Sequence, residues 1–244
     1  MARSFREASH LPKQSPDGRA ARPEELPRQR AGRTPQMHGR YPDYDVLEQA
    51  RHWDDVTRDL MERRAAEIPA IRFFTPDEVR CLRPLLDVLL AQDAEPRVPV
   101  LEMVDQKLHL GTLDGFRFAD MPEDPETWRR TARHLDTEAR GRGAASGFAE
   151  LTLEAQQALV GDWAGGELTW DDLDTVRAWS VVMRATLSEF YSHPWAFNEI
   201  GFGGPAYPRG YMRLAAGASG REPYERPEAF ELDPVEDTRG RGTA

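Results

Sequence analysis

Between residues 45 and 191, apolar residues recur at steps of three or four, which is the spacing of one buried helix face. The pattern starts near Asp45 and predicts a first helix that ends near Ile68, just before Pro69. The apolar positions of this helix are Val46, Ala50, Trp53, Val56, Leu60 and Met61. No segment alternates apolar and polar positions convincingly and no internal repeat is found, so the predicted class is all-α, with about six helices.

The stretch FFTPDEVRCLRPLLDVLLAQ carries the clearest helix start in the chain. Thr75 is the predicted N-cap, Pro76 takes the first helical position, and Glu78 completes a capping box. Phe74 and Val79 stand at the two positions of a hydrophobic staple. Pro84 is expected to kink this helix. The predicted buried stripe is Val79, Leu82, Leu86, Leu89 and Leu90.

Four further helices follow, separated by loops rich in glycine and proline. The first is predicted to begin at Pro99, and the second to cover residues 126–140. The third is predicted to cover residues 153–163, with Thr152 as its cap, and the fourth to begin after a cap at Thr169 and stop at Pro194. The helix that starts at Pro99 directs Val100, Met103, Val104 and Leu108 inward. The last helix has the longest continuous apolar face, made of Leu173, Val176, Ser180, Met183, Leu187, Phe190 and Tyr191.

The two ends of the chain lack this periodicity. Residues 1–42 are rich in Pro, Gly, Gln and Arg and are predicted to be a disordered basic tail, and residues 215–244 a polar tail, which leaves a helical domain at 43–214. The first 42 residues hold nine basic and four acidic side chains, whereas the whole chain has a net charge of −10. The acidic body argues against nucleic acid as a partner.

Composition excludes several classes of protein and of metal site. The chain has no apolar run long enough to span a membrane and no readable export signal, so we expect a cytoplasmic protein or one exported with a signal-bearing partner. Cys81 is the only cysteine, which excludes an internal disulfide and a cysteine-based metal or haem site.

Candidate catalytic groups are few. None of the six histidines has another histidine three or four positions away, so no helix presents a histidine pair for zinc. Asp105 and His109 are four residues apart and can share a helix face, and Glu189 and His193 are the other candidates for an enzyme site. A structural hydrogen bond is the commoner role of such an Asp–His pair, and the metal or acid–base role is the alternative.

The segment FYSHPWAFNEIGFGGPAYPRGYM, residues 190–212, is too apolar for a solvated loop and too rich in Gly and Pro for a buried strand. Its aromatic side chains are of the kind that dominate protein interfaces, and its prolines reduce the entropy lost on docking. We therefore expect it to bind a partner, or else to fold back over its own helices. The predicted interface residues are Tyr191, Pro194, Trp195, Phe197, Asn198, Ile200, Phe202, Pro205, Tyr207, Pro208 and Tyr211.

Three elements in this order resemble the gluconate 2-dehydrogenase subunit 3 family. They are the aromatic–Thr–Pro helix start at residues 73–76, the pair Val104–Asp105, and the Phe–Tyr–x–x–Pro ending at 190–194 with its aromatic, glycine-rich continuation. The resemblance covers about residues 73–214, more than half of the chain. The family's Pro-x-Asp-like turn after the first of these helices has only an approximate counterpart here, in AQDAEPRVP.

The resemblance implies a helical accessory subunit that holds no cofactor of its own. Its partner would be a flavin-dependent dehydrogenase of the glucose-methanol-choline (GMC) type, with FAD in that partner, acting on sugars or sugar acids. In the family's best-known complexes a cytochrome c subunit takes the electrons. Members often carry a twin-arginine signal, which is not visible here. Two alternatives stay open, a chaperone released after the flavoprotein matures, and a helical enzyme that uses Asp105 and His109.

Overall fold

The computed structural model describes residues 45–92, 95, 97–200 and 202–205. These residues divide between two compact units. We call residues 68–93 and 99–191 the central unit, and residues 1–67, 94–98 and 192–244 the terminal unit, because the latter holds both ends of the chain. The predicted tails, 1–42 and 215–244, lie outside the described residues.

Seven α-helices and no strand lie within the described residues, so the all-α prediction is confirmed. Two short 3-10 helices, Val46–His52 and Phe148–Glu150, accompany them. The α-helices are α1 (Asp55–Ala66), α2 (Pro76–Leu89), α3 (Val100–Leu110), α4 (Asp124–Gly141), α5 (Leu153–Ala164), α6 (Thr175–Phe190) and α7 (Pro194–Ile200).

The central unit contains α2 to α6 and the second 3-10 helix. Helices α2 and α6 each pack against α3, α4 and α5, so the buried side chains of five helices meet in one core. Its largest fully buried side chains are Leu82, Leu85, Trp128, Leu135, Phe148, Leu159, Trp163 and Phe190. Burial of this much apolar surface is the main force that holds the unit together.

Local signals predicted the starts of α2 and α5 correctly. Thr75 Oγ1 accepts the Glu78 N–H at 3.3 Å, and Glu78 Oε2 accepts the Thr75 N–H at 2.8 Å, which is the predicted capping box. Thr152 caps α5 through its hydroxyl oxygen, which accepts the Ala155 N–H. Pro84 lies inside α2 without ending it.

The single first helix predicted from residue 45 is wrong, because the chain breaks at Trp53 and Asp54. A 3-10 helix comes first, and Asp54 then starts α1 by accepting the Thr57 N–H at 3.0 Å. The break changes the direction of the following side chains, so Val56 is 76% exposed and Leu60 42% exposed. The other predicted apolar positions, Val46, Trp53 and Met61 among them, are buried or partly buried.

The start of α6 also differs from the prediction. Asp174 is its N-cap, and Thr169 lies five residues earlier, in a connection that buries Trp170 and Leu173. The buried face of α6 consists of Ala178, Val181, Val182, Thr186, Glu189 and Phe190. Val176 and Leu187, which were predicted to be buried, are exposed. The prediction failed here because the buried face includes the polar residues Thr186 and Glu189, which apolar spacing alone does not reveal.

Pro194 has a different role from the predicted one. Helix α6 ends at Phe190, and Pro194 is the first residue of α7, where its fixed φ suits a helix start and its missing N–H leaves no bond unmade. None of the helices in the described part of the chain is long and apolar enough to cross a membrane.

Candidate functional site

The described part of the predicted docking segment lies mainly in the terminal unit, where it builds a small apolar cluster. Val46, Trp53, Met61 and Phe197 are its buried members, and Leu47, Ala50 and Phe202 pack against it. The rings of Phe197 and Phe202 meet edge to face, with centroids 4.9 Å apart. The Phe202 N–H also donates to the Phe197 carbonyl at 2.9 Å, which turns the chain back onto α7.

Asn198 joins the two ends of this unit. Its side chain is fully buried, and its Oδ1 accepts the Val46 N–H at 2.7 Å across 152 residues of sequence. The bond satisfies a donor at the first turn of the 3-10 helix, where intrahelical partners are lacking. Asn198 therefore fastens α7 to residues that precede α1.

The glycines of GFGGP have a packing role at this place. Gly204 has a φ of 82°, and a Cβ there would lie 2.8 Å from both Trp53 Cζ2 and Val46 Cγ2. Trp53 and Val46 are buried, so a Cβ would force them to shift, and glycine is the residue that fits without strain. The sequence signal that could have indicated this contact is the Gly–Gly pair itself, although its partners lie about 150 residues earlier.

His193 connects the start of α7 to the end of α1. Its side chain is 1% exposed, and its Nδ1 accepts the Trp195 N–H at 3.2 Å. Arg64 Nη1 donates to the Ser192 carbonyl at 3.1 Å. The pKa of His193 is lowered to about 4, chiefly by burial; a hydrogen bond with the Arg64 backbone opposes this shift, and the charge of Arg64 adds a smaller lowering. His193 is thus held neutral at pH 7.

The other predicted interface residues are placed unequally. Tyr191, at the end of the central unit, is 46% exposed. Pro194 is buried, whereas Trp195 and Pro205 are half-buried. The backbone of Ile200 ends α7, and Tyr207, Pro208 and Tyr211 lie outside the described residues. Phe197, Asn198 and Phe202 cover the terminal unit itself, so Tyr191, which is exposed, and Trp195, a half-buried aromatic side chain, are the described aromatic members left to meet a partner.

Asp105, the strongest enzyme candidate, has a structural position. Its carboxylate is fully buried and accepts three consecutive backbone N–H groups, from Arg72 at 2.7 Å, Phe73 at 3.0 Å and Phe74 at 2.8 Å. These bonds hold the segment that enters α2 against α3. They account for a buried aspartate without a catalytic role.

The remaining candidates do not complete a site around Asp105. His109 is exposed on α3, and buried Glu189 pairs with Lys107 Nζ at 2.7 Å. Within the described residues, no group of three or more His, Cys, Asp or Glu side chains could hold a metal ion. Cys81 is buried, its S–H donates to the Ala132 carbonyl at 3.4 Å, and its pKa is raised first by burial and then by Asp136.

A family model now gives these observations a context. The model described as Gluconate 2-dehydrogenase subunit 3 matches residues 76–204, more than half of the chain. The chain therefore belongs to the gluconate 2-dehydrogenase subunit 3 family, and the resemblance inferred from its motifs is confirmed. The match runs from the first residue of α2 to the glycine that packs on Trp53. No curated protein and no solved structure matches the chain.

Proposed function

We propose that this chain is a non-catalytic accessory subunit that binds and stabilises a flavin-dependent dehydrogenase of the GMC type. The family match over residues 76–204 carries the proposal, because the family is that of a small subunit of a dehydrogenase complex. The substrate class we propose is a sugar, a sugar acid or a polyol. Specificity among these would reside in the flavin-bearing subunit.

The positions of the candidate polar groups support an accessory role for this chain and catalysis in its partner. The carboxylate of Asp105 is occupied by three backbone N–H groups, and Glu189 is paired with Lys107. Side chains in such arrangements stabilise a fold, and moving a proton or binding an ion would break their bonds. FAD would therefore lie in the partner, and a cytochrome c subunit would be a further component where electrons leave the complex.

The proposed location is the cytoplasm, with export alongside a signal-bearing partner as the alternative. Fractionation of the native host, followed by detection of the tagged chain, distinguishes these two locations. A role in the maturation of the flavoprotein is compatible with either location.

Purification of the tagged chain from its native host tests the proposal. We expect a stoichiometric complex with one large partner and the absorption bands of a flavin, and added Soret and α bands if a cytochrome is present. Removal of the chain should lower the melting temperature of the flavoprotein. A colourless chain recovered alone, from cells that express the flavoprotein, would contradict the proposal. A flavoprotein that needs the chain only during its synthesis would instead indicate a chaperone.

Tyr191 and Trp195 provide a first test of the docking segment. Replacing both by Ala should weaken the complex while leaving the fold intact, because both side chains have access to solvent. Phe197→Ala is the contrasting variant, since its ring is in the apolar cluster and its loss should lower stability first.

A further inference from the structure

The loop between α3 and α4, residues 111–123, presents apolar side chains to solvent in the central unit. Leu110, the last residue of α3, is 59% exposed, Leu113 is 39% exposed and Phe116 is 55% exposed. An isolated exposed apolar residue needs no explanation, but three within seven residues of the chain are a concentration of the kind that marks an interaction site. We call Leu110, Leu113, Phe116 and Phe118 the loop patch.

Two arginines of α6 support the aromatic rings of this patch. The rings of Phe116 and Phe118 meet edge to face at 5.2 Å. Arg184 Cζ lies 5.3 Å from the centroid of Phe116, and Arg177 Cζ lies 5.3 Å from that of Phe118. The arginines are seven residues apart, about two helical turns, and so share one face of α6.

Ion pairs then fix the loop on the same face of the helix. Arg184 Nε is 3.3 Å from Asp114 Oδ2, and Arg184 Nη2 donates to the Phe116 carbonyl at 3.5 Å. Arg177 pairs with Asp120, six residues further along the loop. A loop fixed at both ends in this way loses little entropy when it docks, which favours binding. Met121, which is 5% exposed, anchors the end of the loop in the core.

A small pocket opens next to the patch. Leu113, Asp114 and Arg184 form part of its wall, and Trp128 lies among its lining residues. Its volume of about 30 Å³ has room for a water molecule or two, and equally for the tip of a side chain from a partner. The pocket shares Leu113 with the loop patch, and Arg184 links it to the Phe116 ring, so a partner side chain that enters it would also meet the patch.

The charges around the loop patch indicate which class of binding partner it suits. Arg177 and Arg184 are both paired with aspartates of the loop, so their charges are already neutralised. Nucleic acid and anionic lipid need cations that can pair with phosphate instead. A surface that combines the exposed Phe116 ring and two exposed leucines with arginines already paired to aspartates fits the apolar patch of another folded protein.

We propose that the loop patch is a surface through which this chain binds the dehydrogenase subunit of its complex. This inference rests on the proposed function, since family membership supplies the occupant, and the family match spans the whole loop and α6. It adds a second docking region to the segment at residues 190–212, on residues whose exposure the structure shows directly.

The test uses the full chain and the dehydrogenase subunit that copurifies with it. The double variant Leu110→Ser with Phe116→Ser should weaken the complex at least about ten-fold in Kd, because a few central apolar residues carry most of the binding energy of an interface. The matched control is Val56→Ser with Leu153→Ser, which removes two apolar side chains that are 76% and 57% exposed elsewhere. The control should bind within about two-fold of the wild type. Circular dichroism and melting temperature check that both variants fold.

Hydrogen exchange of the wild-type complex provides a measurement that needs no variant. Amides of residues 110–118 should exchange more slowly in the complex than in the free chain. Unchanged exchange there, or a double variant that binds like the wild type, would overturn the loop proposal while the accessory-subunit proposal stands. Loss of a homodimer of the free chain in the double variant would also overturn it, by assigning the patch to a second copy. If the wild type retains no dehydrogenase, the proposed function fails first.

Discussion

The central and terminal units reach stability in different ways. The central unit has five helices of 11 to 18 residues and a core that includes two fully buried tryptophans. Among its described residues, the terminal unit has a cluster of four buried apolar residues, drawn from two stretches of chain about 150 residues apart. A small core leaves less hydrophobic stabilisation to compensate for lost chain entropy, so single contacts matter more in the terminal unit.

Each unit uses a buried polar side chain to hold a backbone segment from elsewhere in the sequence. Asp105 binds three N–H groups of residues 72–74, about 30 positions away, and Asn198 binds one N–H group at a separation of 152. In both units a buried polar side chain fastens one particular distant segment, whereas apolar burial supplies most of the energy. Three changes test that difference, from the largest expected effect to the smallest.

Removal of the Asp105 carboxylate should have the largest effect. Asp105→Ala leaves three N–H groups without their acceptor, and we expect the free energy of unfolding to fall by about 4 kcal/mol. Asp105→Asn keeps one acceptor oxygen, so its free energy of unfolding should lie between that of Asp105→Ala and that of the wild type. Urea denaturation, monitored by tryptophan fluorescence, measures both.

His109→Ala is the control for that experiment. His109 lies one turn further along α3 and is exposed, so its removal should change the free energy of unfolding by less than about 0.5 kcal/mol. If Asp105→Asn keeps the fold and stability but abolishes an activity of the isolated chain, the structural reading of Asp105 is wrong and the enzyme alternative gains support.

The second change is in pH and acts on the terminal unit. His193 has a pKa of about 4 in the fold against 6.5 in the unfolded chain, so between these values the unfolded state binds more protons. Stability should therefore be complete above pH 6.5 and fall as the pH drops to about 4, by about 3 kcal/mol. Chemical denaturation at pH 7.5, 6, 5 and 4 measures the slope.

A variant that lacks only the His193 imidazole separates this contribution from that of the carboxylates. His193→Asn keeps an acceptor for the Trp195 N–H but does not titrate, so its stability should be flatter between pH 6.5 and 4. An unchanged slope in this variant would show that other groups cause the pH dependence. Glu126, Glu150 and Asp172 have pKa values lowered by hydrogen bonds or salt bridges, and they lose their stabilising charge only at more acidic pH.

The third change places a methyl group in the terminal cluster. Gly204→Ala should lower the free energy of unfolding by about 2 kcal/mol, because the new Cβ meets buried Trp53 and Val46 and the φ is positive. Gly143→Ala is the matched control, with a φ of 97° and open space around it, and should show only the backbone effect of about 1 kcal/mol. Equal losses in the two variants would mean that the packing at Gly204 is looser than described.

Local sequence patterns were reliable where the structural cause is itself local. The α2 capping box joins residues three apart, and the Thr152 cap of α5 does the same, so both could be predicted from a few letters. The predicted start of α6 was wrong because Thr169 and Asp174 are both residue types that can cap a helix. The choice between them depends on burial of Trp170 and Leu173, which lie in the connection.

The candidate site divides in the same way. The family could be recognised from the sequence, because its three motifs occur in order, and the segment at 190–212 stood out by composition. The exposed residues of the loop patch were overlooked, since the sequence shows apolar letters in a connecting loop but not whether they face solvent. Ion pairs to α6, made 57 to 70 residues away in sequence, decide that.

The sequence by itself determined the all-α class, the starts of α2 and α5 and the family, because capping, periodicity and motif order act over a few residues at a time. Only the tertiary structure decided that Asp105 is an anchor, that Phe197 and Asn198 face inward, and that Phe116 faces solvent. The physical reason is that burial and hydrogen-bond partners belong to pairs of segments distant along the chain, and no local pattern specifies which pairs will meet.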